Sequence, residues 1–315
     1  MDCKVGKKTD GFFEDDISNR ELNEDEMNRL MRQVSHENTK GIVIGLLIVT
    51  LGILISVWGD LKYDSFLIEL LGIFVVMIGG IVSVILCWFG KALDLDEIIK
   101  KNLIPAALKE IFDDYTYEPY ESIDPEVIRS TQMKFPYEKI EDISGGDHVK
   151  ASYKGIPFEA CDLDITYEDT FQKPAYRTVT VFSGTWFIIN HGIGLNEDVF
   201  LSENEKLKAP KKNMAYTQND LFNRKYKIYA ENTEDAKRVF SDQMMETIMK
   251  LNEKADGKIY LCFQKNGKLH IAIYSYHNMF EFHCSGKQTF AELKKQFKDE
   301  IKYITDLIEE MKNMR

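Results

Sequence analysis

The sequence predicts an α+β protein: an N-terminal transmembrane helical hairpin, then a cytoplasmic antiparallel-sheet domain with packing helices. Three observations predict it. Two apolar runs, GIVIGLLIVTLGILISVW (Gly41–Trp58) and FLIELLGIFVVMIGGIVSVILCWF (Phe66–Phe89), are separated only by Gly59–Ser65. Short β-rich runs joined by glycine turns begin at Tyr137. From Thr289 to Arg315, apolar residues recur at helical spacing in a charge-laced stretch. At ~1.5 Å per residue the first run extends roughly 27 Å and the second further, close to the ~30 Å hydrocarbon core of a bilayer. The connecting GDLKYDS is too short to hold a domain, so the chain returns to the side it left.

The 315 residues are 44% hydrophobic with a formal charge of −11. The stretch beyond the two runs is long enough for one or two soluble domains. The acidic balance disfavours nucleic acid as a partner, because nonspecific binding rests on neutralising phosphates with a basic surface. It equally disfavours a broad cationic face on anionic lipid, leaving room only for local basic clusters. Cys3, Cys87, Cys161, Cys262 and Cys284 are scattered without a CxxC pair, which reads as reduced thiols in a cytoplasm. The first forty residues are polar and acidic, and the first run is too long for a cleavable apolar core; it is expected to stay in the mature protein.

Residues 1–40 read as a disordered acidic tail, with a short helix near Asn23–Val34 and two aromatics, Phe12 and Phe13, that suit a docking motif or a mobile tail. Residues 41–89 form the hairpin. Arg29, Arg32, Lys40, Lys91, Lys100 and Lys101 flank its outer ends, whereas the turn has Lys62 with Asp60 and Asp64. The positive-inside rule therefore places both termini in the cytoplasm of a two-span cell-membrane protein. Trp58, Tyr63 and Trp88 suit interfacial anchors. Gly45 and Gly52, like Gly72 and Gly79, are two helical turns apart and share a face. With the GxxxG of Gly41 and Gly45, that face packs the hairpin on itself or, as the alternative, seams a homo-oligomer. Glu69 lies one turn inside the second run, where interfacial solvation accounts for it. Two spans without an inverted repeat make an anchor, not a transporter.

Residues 90–136 read as a membrane-proximal helical linker. Its helix is interrupted at Pro105, and the aromatic segment after it starts a second helix where Asp124 caps Pro125. Residues 137–315 form the α+β domain. Strands surround the Gly145-Gly146, Lys154-Gly155 and Ser183-Gly184 turns, and Leu195–Asn223 reads as a long loop containing KAPKK. After a short strand at Lys225–Ala230, one helix runs from Asn232 or Thr233 to Gly257, burying Ala236, Val239, Phe240, Met244, Ile248 and Leu251. KIYLCFQ and KLHIAIYSY form a hairpin about Lys265-Asn266-Gly267; a two-residue Asn-Gly turn sets His270 across from Phe263. The last helix carries Phe290, Leu293, Phe297, Ile301, Ile304, Leu307, Ile308 and Met311 as one stripe. A small sheet closed by such a helix is compatible with a pleckstrin-homology-like barrel, by topological analogy.

Several runs carry a resemblance over Gly41 to about Phe282. They are IRSTQMKFPYEKIEDISGGDHV with Ser130 and Asp142–Gly145, KGIPFEACDL with Phe158 and Glu159, VFSGTWFII with Phe182 and Gly184, and the helix containing Ala236. The chain resembles a family of bacterial membrane proteins with two transmembrane helices, known only as a domain of unknown function and labelled galanin-like in genomes. The resemblance implies a membrane-bound bacterial protein and brings no catalytic residues.

No constellation spells out a reaction. His148, His191, His270, His277 and His283 are the bases of the soluble part, and none sits beside an evident nucleophile. His283 and Cys284 are adjacent in a strand pattern and point to opposite faces, and no CxxC or HxxxH supports zinc from them with His277 and Cys262. The Gly145–His148 turn and the His191–Gly194 loop lack GxxxxGK[ST], and Asp162, Asp164, Glu168 and Asp169 lack the EF-hand pattern. No metal and no cofactor is expected. Lys206–Lys212 (KLKAPKK) and Lys294, Lys295 and Lys298 suit anionic headgroups or a solvated surface. The expectation is a membrane-anchored binding, scaffold or sensor module with membrane lipids and a protein partner. The alternative is a tethered hydrolase, which needs two or more of His148, His191, Asp162 and Asp164 within hydrogen-bond reach.

Overall fold

The computed structural model describes residues 22–63, 66–89, 95–133, 142–169, 177–203, 213–255, 257–275, 278–280 and 288–313. It divides into two compact units, residues 1–103 with 282–293, and residues 104–281 with 294–315.

The first unit is built on α1 (Glu24–Tyr63) and α2 (Phe66–Phe89). The short helix expected near Asn23–Val34 starts at Glu24 and continues beyond the expected end, its start fixed because Asn23 and Glu26 cap it reciprocally. Asn23 Oδ1 accepts the Glu26 N–H at 2.9 Å, and Glu26 Oε2 accepts the Asn23 N–H at 3.1 Å. Met27 and Met31 are buried, and Asn28 Oδ1 between them accepts the Phe290 N–H at 2.8 Å. The helix then continues to Tyr63, absorbing most of the expected Gly59–Ser65 turn. Gly52 and Gly72 set how closely α1 meets α2. A Cβ on Gly52 would lie 2.7 Å from Val76 Cγ2, and one on Gly72 would lie 2.7 Å from Ser56 N. A Cβ on Gly79 would meet Ile48 Cγ2 at 2.9 Å, and Gly45 is buried. These glycines therefore serve contact within the hairpin. Among the described residues no helix is long and apolar enough to cross a membrane. In the apolar parts of the two helices, side chains are described over 43–58 and 70–82.

The second unit is a nine-stranded antiparallel sheet with helices. Its strands are β1 (Asp114–Glu118), β2 (Asp142–Tyr153), β3 (Ile156–Asp169), β4 (Arg177–Asn190), β5 (Val199–Ser202), β6 (Asn213–Ala215), β7 (Lys227–Ala230), β8 (Lys258–Phe263) and β9 (Lys268–Tyr274). Their order is β1-β2-β3-β4-β9-β8-β5-β7-β6. This order makes the fold α+β; among the described residues the strands form an open sheet, not a closed pleckstrin-homology-like barrel.

Four differences from expectation have local causes. First, the sheet begins at Asp114, inside the expected linker, because β1 pairs with β2 from Asp114↔Ser152 to Glu118↔His148. Second, the expected long loop holds β5, β6 and α5 (Asp220–Lys225). All four residues of β5 are buried between β7 and β8, so it shows no alternation to read. Third, the single helix after Asn232 is two, α6 (Thr233–Val239) and α7 (Asp242–Lys254), because the Ser241 hydroxyl caps Met244 N and restarts the chain. Fourth, His270 pairs with Cys262, one residue from its expected partner. Gly267 at φ +89° closes a three-residue loop between Gln264 and Lys268. The Lys154-Gly155 turn, with both residues at positive φ, is the two-residue type that the strand twist favours.

Both sheet faces are covered. On one, Cys161, Leu163, Ile165, Phe182, Trp186 and Cys262 pack with Ile123 and with Ile128 of α4 (Pro125–Ser130). On the other, Phe158 meets Phe112 beyond α3 (Leu95–Ile111) at 4.9 Å between ring centroids. Pro105 leaves α3 unbroken, since its neighbours Ile104, Ala107 and Leu108 are buried and offset one lost hydrogen bond. Glu110 of α3 accepts from Lys294 at 2.7 Å and Lys298 at 2.8 Å on α8 (Phe290–Asn313).

Gly184 lies where β4 and β9 approach most closely: a Cβ there would sit 2.1 Å from Ile273 O. Gly184→Ala is expected to cost about 3 kcal/mol or more in chemical denaturation, whereas Gly194→Ala should stay within about 0.5 kcal/mol. A Cβ on Gly194 would meet nothing within 4 Å.

Candidate functional site

Unit one offers an apolar surface. Along α1, Val43, Leu46, Leu47, Leu51, Leu54 and Val57 are exposed, with Leu47 at 64% and Leu54 at 66%; along α2, Leu70, Phe74, Met77 and Ile81 are exposed. An aqueous protein rarely presents so long an apolar face. Trp58 is half exposed at its end. The side chains of Tyr63, Trp88 and Glu69 lie outside the described residues.

Unit two brings carboxylates together under the β2–β3 bulge. Pairing runs Gly146↔Asp162 and then Val149↔Ala160, so Asp147 and His148 are inserted between them. Gly145 permits the crowding, since a Cβ there would lie 2.2 Å from Asp162 O. Asp147 is buried at φ +59° and accepts the Tyr117 hydroxyl at 2.5 Å, while its own N–H donates to Pro119 O. Asp162, also buried, accepts three donors: the Thr185 hydroxyl at 2.7 Å, the Met279 N–H at 3.2 Å and the Phe280 N–H at 3.0 Å. Burial pushes the Asp162 carboxyl up to about 7, against the pull of Thr185 and Phe280 and with the help of the Asp147 charge. Burial foremost, then Asp147, also raises the Tyr117 hydroxyl.

A second buried network runs through β4, β8 and β9. Trp186 Nε1–H donates to His270 Nδ1 at 3.2 Å, so His270 Nε2 carries the proton toward Gln264 Oε1, also at 3.2 Å. Gln264 Nε2 reaches Ser130 O at 3.3 Å. Burial chiefly, with Lys268 adding, holds His270 down to about 3. His191 is fixed the same way: Nδ1 accepts the Ile193 N–H at 3.0 Å, and Nε2 faces Gln264 O at 2.9 Å. In α6, buried Asp235 accepts the Asn196 and Glu197 N–H groups at 3.1 and 3.0 Å.

The histidines and carboxylates singled out from sequence are thus dispersed. His148 Nε2 faces Glu159 at 3.3 Å, His191 lies past the end of β4 and roughly 20 Å along the strand from Thr185, and Asp164 pairs with Ser144 and Ser183. His277, His283, Cys284, Cys3, Phe12, Phe13 and Lys206–Lys212 lie outside the described residues, as do the side chains of Glu168 and Asp169. Among the described residues no group of three or more His, Cys, Asp or Glu is placed to hold a metal ion. Lys294 and Lys298 direct their charge at Glu110, whose carboxyl falls to about 2 chiefly through Lys294, and Lys295 is exposed. Tyr117, Thr185 and Gln264 escaped sequence reasoning, and Asp147 enters it only as part of the Gly145–His148 turn. Only the two glycines before Asp147 hinted that a polar residue is inserted there.

The fold defines a mixed protein of helices and antiparallel sheet in which the buried Asp147, Asp162, His191, Asp235 and His270 side chains are hydrogen-bonded within the sheet unit, while the buried Tyr226 hydroxyl has no hydrogen-bond partner among the described residues. Within it, residues 180–313 match a family model described as "Protein of unknown function (DUF3137)". No curated protein and no solved structure matches the chain.

Asp162 and His270 tie stability to pH with opposite signs. The unfolded carboxyl titrates near ~3.9, so the stability Asp162 confers is present below about pH 4 and lost as pH rises through about 7. The unfolded imidazole titrates near ~6.5, so the stability of the neutral His270 is present above that and lost as pH falls toward about 3. Between about pH 4 and 6.5, Asp162→Asn should make urea stability rise more steeply with pH than wild type, by up to about 1.4 kcal/mol per pH unit. His270→Gln should tilt the slope the other way by a similar amount.

Proposed function

We propose that the chain is a membrane-anchored binding or scaffold module of the bacterial inner membrane, whose α+β domain meets a protein partner on the cytoplasmic side. The observation that carries this reading is the exposed apolar surface of α1 and α2, two helices joined by a short turn and packed through Gly52, Gly72 and Gly79. Continued over the apolar runs Gly41–Trp58 and Phe66–Phe89, such a surface matches the length of the hydrocarbon core. Bilayer lipid satisfies it without a further protein layer. Lys and Arg at the outer ends of the runs favour cytoplasmic termini.

The sheet unit supports binding over chemistry. His148, His191, Asp162 and His270 are each bonded to partners within the fold, and among the described residues no base stands beside a nucleophile. Among the described residues no geometric feature favours a hydrolase.

Full-length protein expressed in a bacterium should float with membranes and resist carbonate extraction. A cysteine placed at Asp60 should react with an impermeant maleimide added from outside intact cells. Extraction by carbonate would overturn the anchor, and labelling only after lysis would overturn the orientation. Hydrolysis of generic esters or phosphoesters, abolished by His148→Ala or His191→Ala, would replace the binding reading with the enzymatic one.

A further inference from the structure

Outside α1 and α2, large apolar side chains are exposed at few places among the described residues, and three of them share one corner. Met214 is in β6, at the open end of the sheet; Tyr216 comes just after that strand; Leu221 is in the first turn of α5. Tyr216 and Leu221 are each 70% exposed. Their display is built in. The Thr217 N–H donates to Asn223 Oδ1 at 3.0 Å, and Asn223 Nδ2 donates back to Thr217 O at 2.8 Å. Asn219 caps α5 through the Leu221 and Phe222 N–H groups. Phe222, the next residue, is fully buried against Tyr226 and Phe240, so the turn faces Leu221 outward while Phe222 fills the core.

Charge runs against the rest of the chain here. Arg224 is exposed on the same short helix, which also carries Asp220; Lys225 follows with its ammonium turned to Glu203 and Asn252, and Lys227 lies in β7. In sequence, the stretch between β5 and β6 adds Lys206, Lys208, Lys211 and Lys212 against Glu203 and Glu205, in a protein whose net charge is −11. Aromatic and aliphatic tips beside basic residues are the pairing that an anionic bilayer surface takes: apolar tips enter the headgroup boundary and cations stay among the phosphates.

We propose that the β6–α5 corner is a peripheral contact site for anionic lipid, with Met214, Tyr216 and Leu221 as the inserting side chains and Arg224 as a headgroup ligand. The proposal draws on the anchored reading for one thing. A tethered domain meets the bilayer at high effective concentration, so a patch too small to recruit a free protein suffices to seat an anchored one. Binding would then depend on lipid charge, giving the module two states, seated and released, set by membrane composition.

The test is amide hydrogen exchange of the full-length chain in nanodiscs, one chain per disc. One set of discs is phosphatidylcholine alone and the other an equal mixture with phosphatidylglycerol. Residues 213–227 should exchange about threefold or more slowly in the anionic discs, and the difference should vanish in high salt, in Leu221→Glu and in Arg224→Glu. Exchange of β3 and β4 should not change in either variant, which separates loss of contact from loss of fold. Equal exchange in both lipids overturns the proposal, as does protection that persists in detergent or in Arg224→Glu. A chain that does not incorporate into discs refutes the anchor alone. Anionic vesicles added to that chain then decide the corner by the same measurement, protection supporting it and none overturning it.

Discussion

Burial of both faces of the central strands is the constraint on which the rest of the second unit depends. In a sheet with one wet face, a polar residue turns to water; in β3, β4 and β9 it has no such exit. Asp162, Thr185, Trp186 and His270 are all within 4% of complete burial. An unpaired group in that setting costs about 1–3 kcal/mol, and a charge more. Each is accordingly met by a partner from a neighbouring element: Asp162 by Thr185 of β4 and the turn at Met279 and Phe280, and His270 by Trp186 of β4 and Gln264 of the β8–β9 loop. The polar groups thereby fix how the pieces around the sheet attach. Their chemistry is consumed in assembly.

The first unit inverts this arrangement. Over 43–58 and 70–82 its large apolar side chains are mostly turned outward and Gly45, Gly52, Gly72 and Gly79 inward, so contact between α1 and α2 comes from backbone approach at Gly52 and Gly72. In water this pattern forfeits the burial that ordinarily drives helices together. Inside hydrocarbon it forfeits nothing, because lipid and protein are equally apolar and only close packing distinguishes them. The proposed membrane anchorage rests on this inversion.

Periodicity and turn chemistry made much of the fold legible from the sequence. The β2–β3 turn at Lys154-Gly155, the β8–β9 hairpin, the helical stripe of α8 and the glycine face of the hairpin all obey local rules. Three kinds of information did not. A strand buried on both faces, such as β5, has no alternation to display. A helix break made by one capping hydroxyl, as at Ser241, is invisible while apolar spacing continues across it. Buried partners distant in sequence leave no mark at all: Tyr117 with Asp147, or Asp162 with Met279 and Phe280, meet only because strands bring them side by side. The histidines drew notice because their type suggests chemistry, yet type says nothing of what a side chain touches.

The grip of Asp162 on the turn at Met279 and Phe280 bears on how the molecule opens. Phe280 is fully buried, stacked on Tyr117 and against Phe297. To peel that turn away would strip two donors from a sequestered carboxylate and expose an aromatic side chain in one step, with no compensating hydration until the sheet itself parts. Fraying is therefore disfavoured there. The turn at Met279 and Phe280 is thereby tied to β3 and β4, and its amides are expected to open only when those strands do.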